Sequence, residues 1–165
     1  MDQLLALSVR QPWAHAIMHF GKDIENRTRR FGHRGLTLIH ASASLTADEY
    51  VEADDEIHRR TGLHLPPSHQ LERGGIVGVV EIVDSISAAD ARSSGPWWRG
   101  PYGLVLANAR PLRLIPCKGT VAPLFWRPDA ATLDRGAGRA GGLVGAPAAG
   151  RVRHQPGQPV EAATL

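Results

Sequence analysis

The stretch that decides the fold is Gly75-Ile-Val-Gly-Val-Val-Glu-Ile-Val-Asp-Ser-Ile86. Val and Ile occupy seven of its twelve positions. Side chains branched at Cβ favour the extended backbone and pack well on a pleated surface. The Gly74-Gly75 pair before the run marks where the chain turns into it. The stretch therefore predicts a long strand over 76–86, around which the rest of the fold is arranged.

Shorter strands are predicted on both sides of this one. Their apolar runs or alternating patterns cover Leu4–Val9, Asp23–Thr28, Gly35–His40, Tyr102–Ala107 and Leu112–Ile115. The last two are expected to be separate strands joined through Asn108-Ala-Arg-Pro111, because Asn and Pro are typical turn residues.

Two helices are predicted near the front of the chain. The first covers Trp13–Phe20 and is capped by Gly21, and the second covers 47–61, begins with a Thr46…Glu49 capping box and ends at Gly62. Five or six short strands with two helices do not alternate as βαβ units do. They predict a mainly β or α+β fold, a small β-barrel with flanking helices.

Composition bounds the class of protein. The chain has 165 residues, of which 42% are hydrophobic and 21% charged, which excludes a fibrous or wholly disordered chain. A net charge of +3 permits an anionic partner without requiring one. A single Cys excludes a disulfide framework, and no apolar run is long enough to span a membrane. We expect a soluble, cytoplasmic protein.

The chain divides at about residue 128. Residues 129–165 contain no aromatic residue, and 19 of these 37 residues are Gly, Ala or Pro. Such a segment buries too little apolar area to offset the entropy of ordering it. We therefore expect a folded domain over 1–128 and a flexible, disordered tail over 129–165. A small helix around Ala130–Leu133 is the one element that this composition allows.

The segment 22–34 contains the densest positive charge. Its five cations, Lys22, Arg27, Arg29, Arg30 and Arg34, stand against two acidic residues. Such a segment is typical of a loop that contacts phosphates. A solvated turn of mixed charge explains the composition equally well.

Three residues within this segment form a candidate constellation. If residues 23–28 are extended, Glu25 and Arg27 share one face, with Lys22 at the mouth of the preceding turn. A carboxylate beside cations can act as a general base or can hold a guanidinium in place. The simpler explanation is an ion pair within the strand.

Two further pairs have alternative explanations. His15 and His19 have the i, i+4 spacing of zinc ligands, but no third ligand motif accompanies them, and we expect neither a metal nor a cofactor. Trp97-Trp98 lies in a loop rich in Gly and Pro. The pair is either a platform on which bases stack or a hydrophobic plug over one end of the barrel.

Several ordered segments resemble the ASCH domain family, a branch of the PUA-like β-barrels. They are Leu7-Ser-Val-Arg-Gln-Pro-Trp-Ala14, Gly21-Lys-Asp-Ile-Glu-Asn-Arg27, Gly35-Leu-Thr-Leu-Ile-His-Ala41, Gly75-Ile-Val-Gly-Val-Val-Glu81 and Trp97-Trp-Arg-Gly-Pro-Tyr-Gly-Leu-Val-Leu106. The resemblance covers about residues 1–126. It implies a PUA-like barrel with a cleft between the barrel and the first helix, associated with nucleic acid. Bacterial relatives that hydrolyse acetylated cytidine place Thr where Glu25 stands.

On this resemblance the leading hypothesis is a domain that binds RNA or single-stranded DNA in a basic cleft. Trp13 would shape the cleft, and its charges would come from Arg10, Lys22, Arg27, Arg29, Arg30 and Lys118. The alternative is a small hydrolase that needs no metal, an amidohydrolase resembling those that act on N4-acetylcytidine or a ribonuclease. Lys22 and Glu25 would then be its proton-transfer pair. A third class is an adaptor that contacts no nucleic acid.

Overall fold

The computed structural model describes residues 4–139, with side chains described as far as residue 135. The elements follow in the order β1 Leu5–Val9, α1 Trp13–His19, β2 Ile24–Arg27, β3 Gly35–Ala41, α2 Ala47–Thr61, β4 Gly75–Ser87, β5 Tyr102–Pro116, β6 Phe125–Trp126 and α3 Ala130–Arg139. Single turns of 3₁₀ helix occupy Ser68–Gln70 and Ala91–Ser94. No helix in the described part of the chain is long and apolar enough to cross a membrane.

All six strands form one curled sheet in the order β2-β5-β4-β3-β1-β6. The β1–β3 pair is parallel and every other pair is antiparallel. The predicted long strand is present as β4, which pairs with β3 on one side and with β5 on the other. The sheet curls into a half-barrel, which confirms the predicted class of a small barrel of five to six strands with flanking helices.

Local signals placed α2 correctly. It runs over Ala47–Thr61, the range predicted. The Thr46 hydroxyl accepts a hydrogen bond from the Glu49 backbone N–H, and the Glu49 carboxylate accepts one from the Thr46 N–H. At the other end Gly62 has a φ of +74°, a conformation that costs glycine little.

The expected turn between two strands at Asn108–Pro111 is wrong, because β5 runs without interruption over Tyr102–Pro116. Asn108 has a φ of +52°, and the pairing of β4 with β5 shifts register between Val79 and Glu81. The polar residues therefore form a β-bulge within one strand. The strand continues because β4 offers pairing partners on both sides of the bulge.

Buried side chains cover both faces of the sheet. Helix α1 packs Ala14, Ile17 and Met18 against one face, whose cluster is Leu7, Val9, Ile39, Ala41, Val77, Val80, Ile82, Leu104 and Leu106. Leu38 and Val79 alternate with these residues and belong to a separate cluster on the opposite face.

Helix α3 packs on that opposite face. Leu133 contacts the cluster formed by Ala6, Leu38, Ile76, Val79 and Ile115, and Thr132 is almost fully buried. The short helix that composition allowed around 130–133 thus belongs to a longer one. The remainder of the expected tail, residues 140–165, lies outside the described residues.

Candidate functional site

A pocket of about 270 Å³ opens where the start of α1, strand β2, helix α2 and the loop before β5 meet. Its lining residues are Trp13, Lys22, Glu25, Asn26, Glu56, Trp97 and Arg99. Three of them, Trp13, Lys22 and Glu25, were predicted site residues. The pocket thus lies beside the first helix, at the edge of the sheet formed by β2.

Lys22 enters the pocket from the turn that ends α1. Gly21 has a φ of +67°, and the Lys22 backbone N–H donates to the Ala16 carbonyl at 3.1 Å, which closes the helix. The Lys22 side chain is only 4% exposed. Its Nζ donates to Glu25 Oε2 at 2.8 Å and to the Ile24 carbonyl. An ammonium has three N–H donors, so one remains for a ligand.

Glu25 lies between two cations. Its Oε1 is 3.1 Å from Nη2 of Arg27, so one carboxylate faces Lys22 and Arg27 together. Among the described residues, neither Nη2 nor Nε of Arg27, both of them buried, has a hydrogen-bond partner. Lys22, Glu25 and Arg27 therefore lie together as a compact network of charged groups.

The opposite wall of the pocket is a second carboxylate held by arginines. Glu56 projects from α2, and its Oε1 accepts from Nε of Arg60 at 2.9 Å and from Nε of Arg99 at 2.7 Å. Nη2 of Arg99 forms an ion pair with the other oxygen. Neither Glu56 nor Arg99 was among the residues predicted for the site. The spacing of Glu56 from Ala53 and Ile57, both on the buried face of α2, was the available signal.

The tryptophan pair has two distinct places. Trp97 is 5% exposed, packs against a cluster that includes Ile24 and Ile57, and also lines the pocket. Trp98 is half-buried and lies where side chains at Gly100 or Gly103 would meet its ring. Of the two alternatives, the hydrophobic plug describes Trp97, which forms at the same time an aromatic wall of the pocket with Trp13.

The basic loop after β2 is anchored by Phe31. This side chain packs into the core beside Phe125, with ring centroids 5.9 Å apart, and the Phe31 N–H donates to Ser85 Oγ at 3.3 Å. Arg29 and Arg30 are exposed, and neither forms an ion pair with any described residue. The loop is therefore held in place at Phe31, and it presents two exposed cations that have no ion-pair partner among the described residues.

Two of the predicted cations lie elsewhere. Arg10 is exposed and forms an ion pair with Glu49, in a hollow that adjoins the pocket at Trp13 and Glu56. Lys118 is exposed beyond the end of β5 and does not line the pocket. The structure thus brings together Trp13, Lys22 and Glu25, with Arg27 attached through Glu25, and leaves Lys118 apart.

His15 and His19 form an imidazole pair without further ligands. Their ring centroids are 4.5 Å apart. Burial, reinforced by the neighbouring His19, lowers the pKa of His15 to about 4. No group of three or more His, Cys, Asp or Glu side chains within residues 4–135 is placed to hold a metal ion.

The curled sheet, with its pocket beside the first helix, defines the class of small barrel-like domains with flanking helices. The chain belongs to the ASCH domain family, whose model matches residues 7–107. The matched range includes all the residues that line the pocket. No curated protein sequence matches the chain at a significant level.

Proposed function

We propose that the chain binds RNA or single-stranded DNA, with one base in the pocket between Trp13 and Trp97 and the adjoining phosphates on Arg29 and Arg30. The observation that carries this proposal is the spare N–H of Lys22, a buried ammonium that opens onto a pocket with two indole walls. Aromatic walls stack bases of any sequence, and a buried donor recognises a base edge.

The size of the pocket suits one base. Sites for larger small molecules usually measure about 300–1,000 Å³, and this pocket, at about 270 Å³, lies just below that range. A base in double-stranded DNA is stacked and paired, so only an unpaired or extruded base can enter. Single-stranded ligands are therefore favoured over duplexes.

The distribution of charge supports placing the phosphates outside the pocket. Within it, Lys22 is paired with Glu25 and Arg99 with Glu56, so positive and negative charges compensate. Arg29 and Arg30 have no ion-pair partner among the described residues and follow β2 directly along the chain. Backbone phosphates are attracted to uncompensated cations, because binding there releases condensed counterions.

The test is a titration of labelled single-stranded RNA, single-stranded DNA and duplex DNA, followed by fluorescence anisotropy at several salt concentrations. Single strands are expected to bind in a salt-dependent manner and duplex more weakly. Arg99→Gln should weaken binding of single strands, because it removes a cation that lines the pocket. The fold should be retained, because Glu56 keeps Arg60 as an ion-pair partner. Arg113→Ala, an exposed arginine on β5, is the matched control. Absence of salt-dependent binding to any nucleic acid contradicts the proposal.

A second candidate is hydrolysis of an acyl amide in the same pocket. The observation that favours it is the 2.8 Å hydrogen bond between buried Lys22 and Glu25, which gives a path for proton transfer. In this candidate Glu25 takes a proton from water, whose oxygen forms a bond to the acyl carbon. The carbon–nitrogen bond breaks, Lys22 delivers a proton to the departing nitrogen, and Glu25 returns its proton to Lys22.

Binding and hydrolysis are separated by incubating the protein with N4-acetylcytidine and, separately, with labelled RNA, in the presence of EDTA. Turnover that is lost in Glu25→Gln, while the ligand still binds, supports the hydrolase. Binding without any product supports the nucleic-acid-binding domain alone.

A further inference from the structure

The loop over residues 95–101, which contributes Trp97 and Arg99 to the pocket, makes few backbone hydrogen bonds. Among the described residues, its own backbone makes two such bonds. The Trp98 N–H donates to the Gly95 carbonyl within the loop, and the Gly95 N–H donates to the Arg92 carbonyl in the preceding 3₁₀ turn. Its hold on the rest of the protein therefore depends on side chains.

One side chain makes two hydrogen bonds to the backbone of this loop. Asn26 Nδ2 donates to the Trp97 carbonyl at 2.9 Å. The Arg99 N–H donates to Asn26 Oδ1 at 2.8 Å. The side-chain amide of Asn26 thus donates to Trp97 and accepts from the backbone of Arg99, the two residues that flank Trp98.

Asn26 also has a suitable position on β2. Successive side chains of a strand point to opposite faces, so Asn26 points away from the face that carries Glu25 and Arg27. Its neighbour on the same face, Ile24, packs in one cluster with Trp97. The pairing of β2 with β5 fixes Asn26 opposite Gly103. The backbone of Asn26 is paired in the sheet, and its side chain therefore holds in place a loop that is not part of the sheet.

From these contacts we propose that Asn26 is a positioning residue for the pocket: its side-chain amide fixes the Trp97–Arg99 loop so that the indole wall and the Arg99–Glu56 ion pair face the ligand. The inference rests on the proposed function only for the identity of the ligand. An aspartate at this position keeps the acceptor for the Arg99 N–H, but it loses the donor and places a carboxylate beside the Trp97 carbonyl. An alanine loses both bonds.

The first arm of the test needs no ligand. Hydrogen exchange of residues 95–101 is measured in the wild type and in Asn26→Ala. We expect exchange in this loop to accelerate by about tenfold or more, the factor that corresponds to losing about 1.4 kcal/mol of protection. Asn108→Gly is the matched control, because it removes the Asn108–Glu81 hydrogen bond and glycine tolerates the positive φ there. Unchanged exchange in Asn26→Ala overturns the proposal.

The second arm uses labelled single-stranded RNA of mixed sequence, at a temperature well below the Tm of every variant. Asn26→Ala and Asn26→Asp are expected to weaken binding by about tenfold, and Asn26→Ala should leave the salt slope unchanged because no phosphate contact is lost. A merely structural role for Asn26 would lower the Tm and leave this affinity intact. Faster exchange with unaltered affinity therefore also overturns the proposal. If the wild type binds no nucleic acid, the proposed function fails, and the exchange arm still decides whether Asn26 holds the loop.

Discussion

Lys22 donates a hydrogen bond from Nζ to Oε2 of Glu25 across 2.8 Å, and the two side chains are only 4% and 12% exposed. A buried pair is tolerated because each ion neutralises the other, and the removal of one member leaves a charge without compensation. Arg27 shares the same carboxylate, so Lys22, Glu25 and Arg27 form one charged network beside the pocket.

Replacement of either member of this pair should destabilise the fold. Lys22→Met and Glu25→Gln are each expected to lower the free energy of unfolding by about 3–5 kcal/mol, measured by urea denaturation. The double variant should be less destabilised than the sum of the two, because the interaction between Lys22 and Glu25 is lost only once. Arg92→Ala breaks an exposed ion-pair cluster and should lower the free energy of unfolding far less than either of these single variants. Additive single effects would show that the two groups are not coupled.

The exposed cations of the basic loop should control salt dependence rather than chemistry. Arg29→Ala and Arg30→Ala are each expected to reduce the log–log salt slope for single-stranded RNA by roughly 0.7, the value for one lost phosphate contact. The measurement is anisotropy across a series of salt concentrations. Arg34→Ala should change the slope less, since Arg34 is already paired with Asp84 at 2.9 Å. Equal slopes in the wild type and in Arg29→Ala/Arg30→Ala would remove the loop from the interface.

Contacts of α3 should matter for stability, despite a composition that predicts a tail from residue 129 onward. Leu133→Ala is expected to lower the free energy of unfolding by about 1–2 kcal/mol, because Leu133 is partly buried against the face of the sheet opposite α1. Asp134→Ala, its exposed neighbour, should be nearly neutral. Thermal unfolding of both variants decides the matter. A chain that ends after Pro128 should lose at least as much stability as Leu133→Ala. Equal melting temperatures for that chain and the full one would support the boundary at 128.

Stability should fall as pH is lowered from about 6.5 to about 4. The folded-state pKa of His15 is about 4, against 6.5 as its ordinary value, because burial and then His19 disfavour the charged ring. The unfolded chain consequently binds the proton more tightly, so this stabilisation is complete above pH 6.5 and is lost toward pH 4. Burial also lowers the pKa values of His33 and His40, which add to the effect.

A substitution isolates the share of His15 in this pH dependence. His15→Gln should flatten the curve of unfolding free energy against pH between 6.5 and 4 by on the order of 1–2 kcal/mol, after allowance for the partial exposure of the ring. His69→Gln, at an exposed position, is the matched control. An identical curve for His15→Gln would assign the pH dependence to other groups.

The sequence by itself determined most of the elements, because their signals are local. The β-branched run predicts β4, and the capping box with Gly62 predicts α2 over the residues where it lies. The spacing of Glu25 and Arg27 placed these two charged groups on one face of β2, since alternation along a strand needs no partner, and Lys22 directly precedes the strand. One exception is the turn expected at Asn108. Asn108 carries a turn signal, but pairing with β4 turned it into a bulge.

Only the tertiary structure decided what completes the pocket. Asn26 reaches Trp97 across 71 residues and Arg99 across 73, and Arg99 reaches Glu56 across 43. No periodicity in a single sequence reports such separations. These contacts exist because the pairing of β2 with β5 brings the loop before β5 over the edge of the sheet. The position of α3 has the same origin. Composition shows that its segment is poor in apolar residues, whereas the apolar face that Leu133 covers exists only once β1, β3, β4 and β5 are paired.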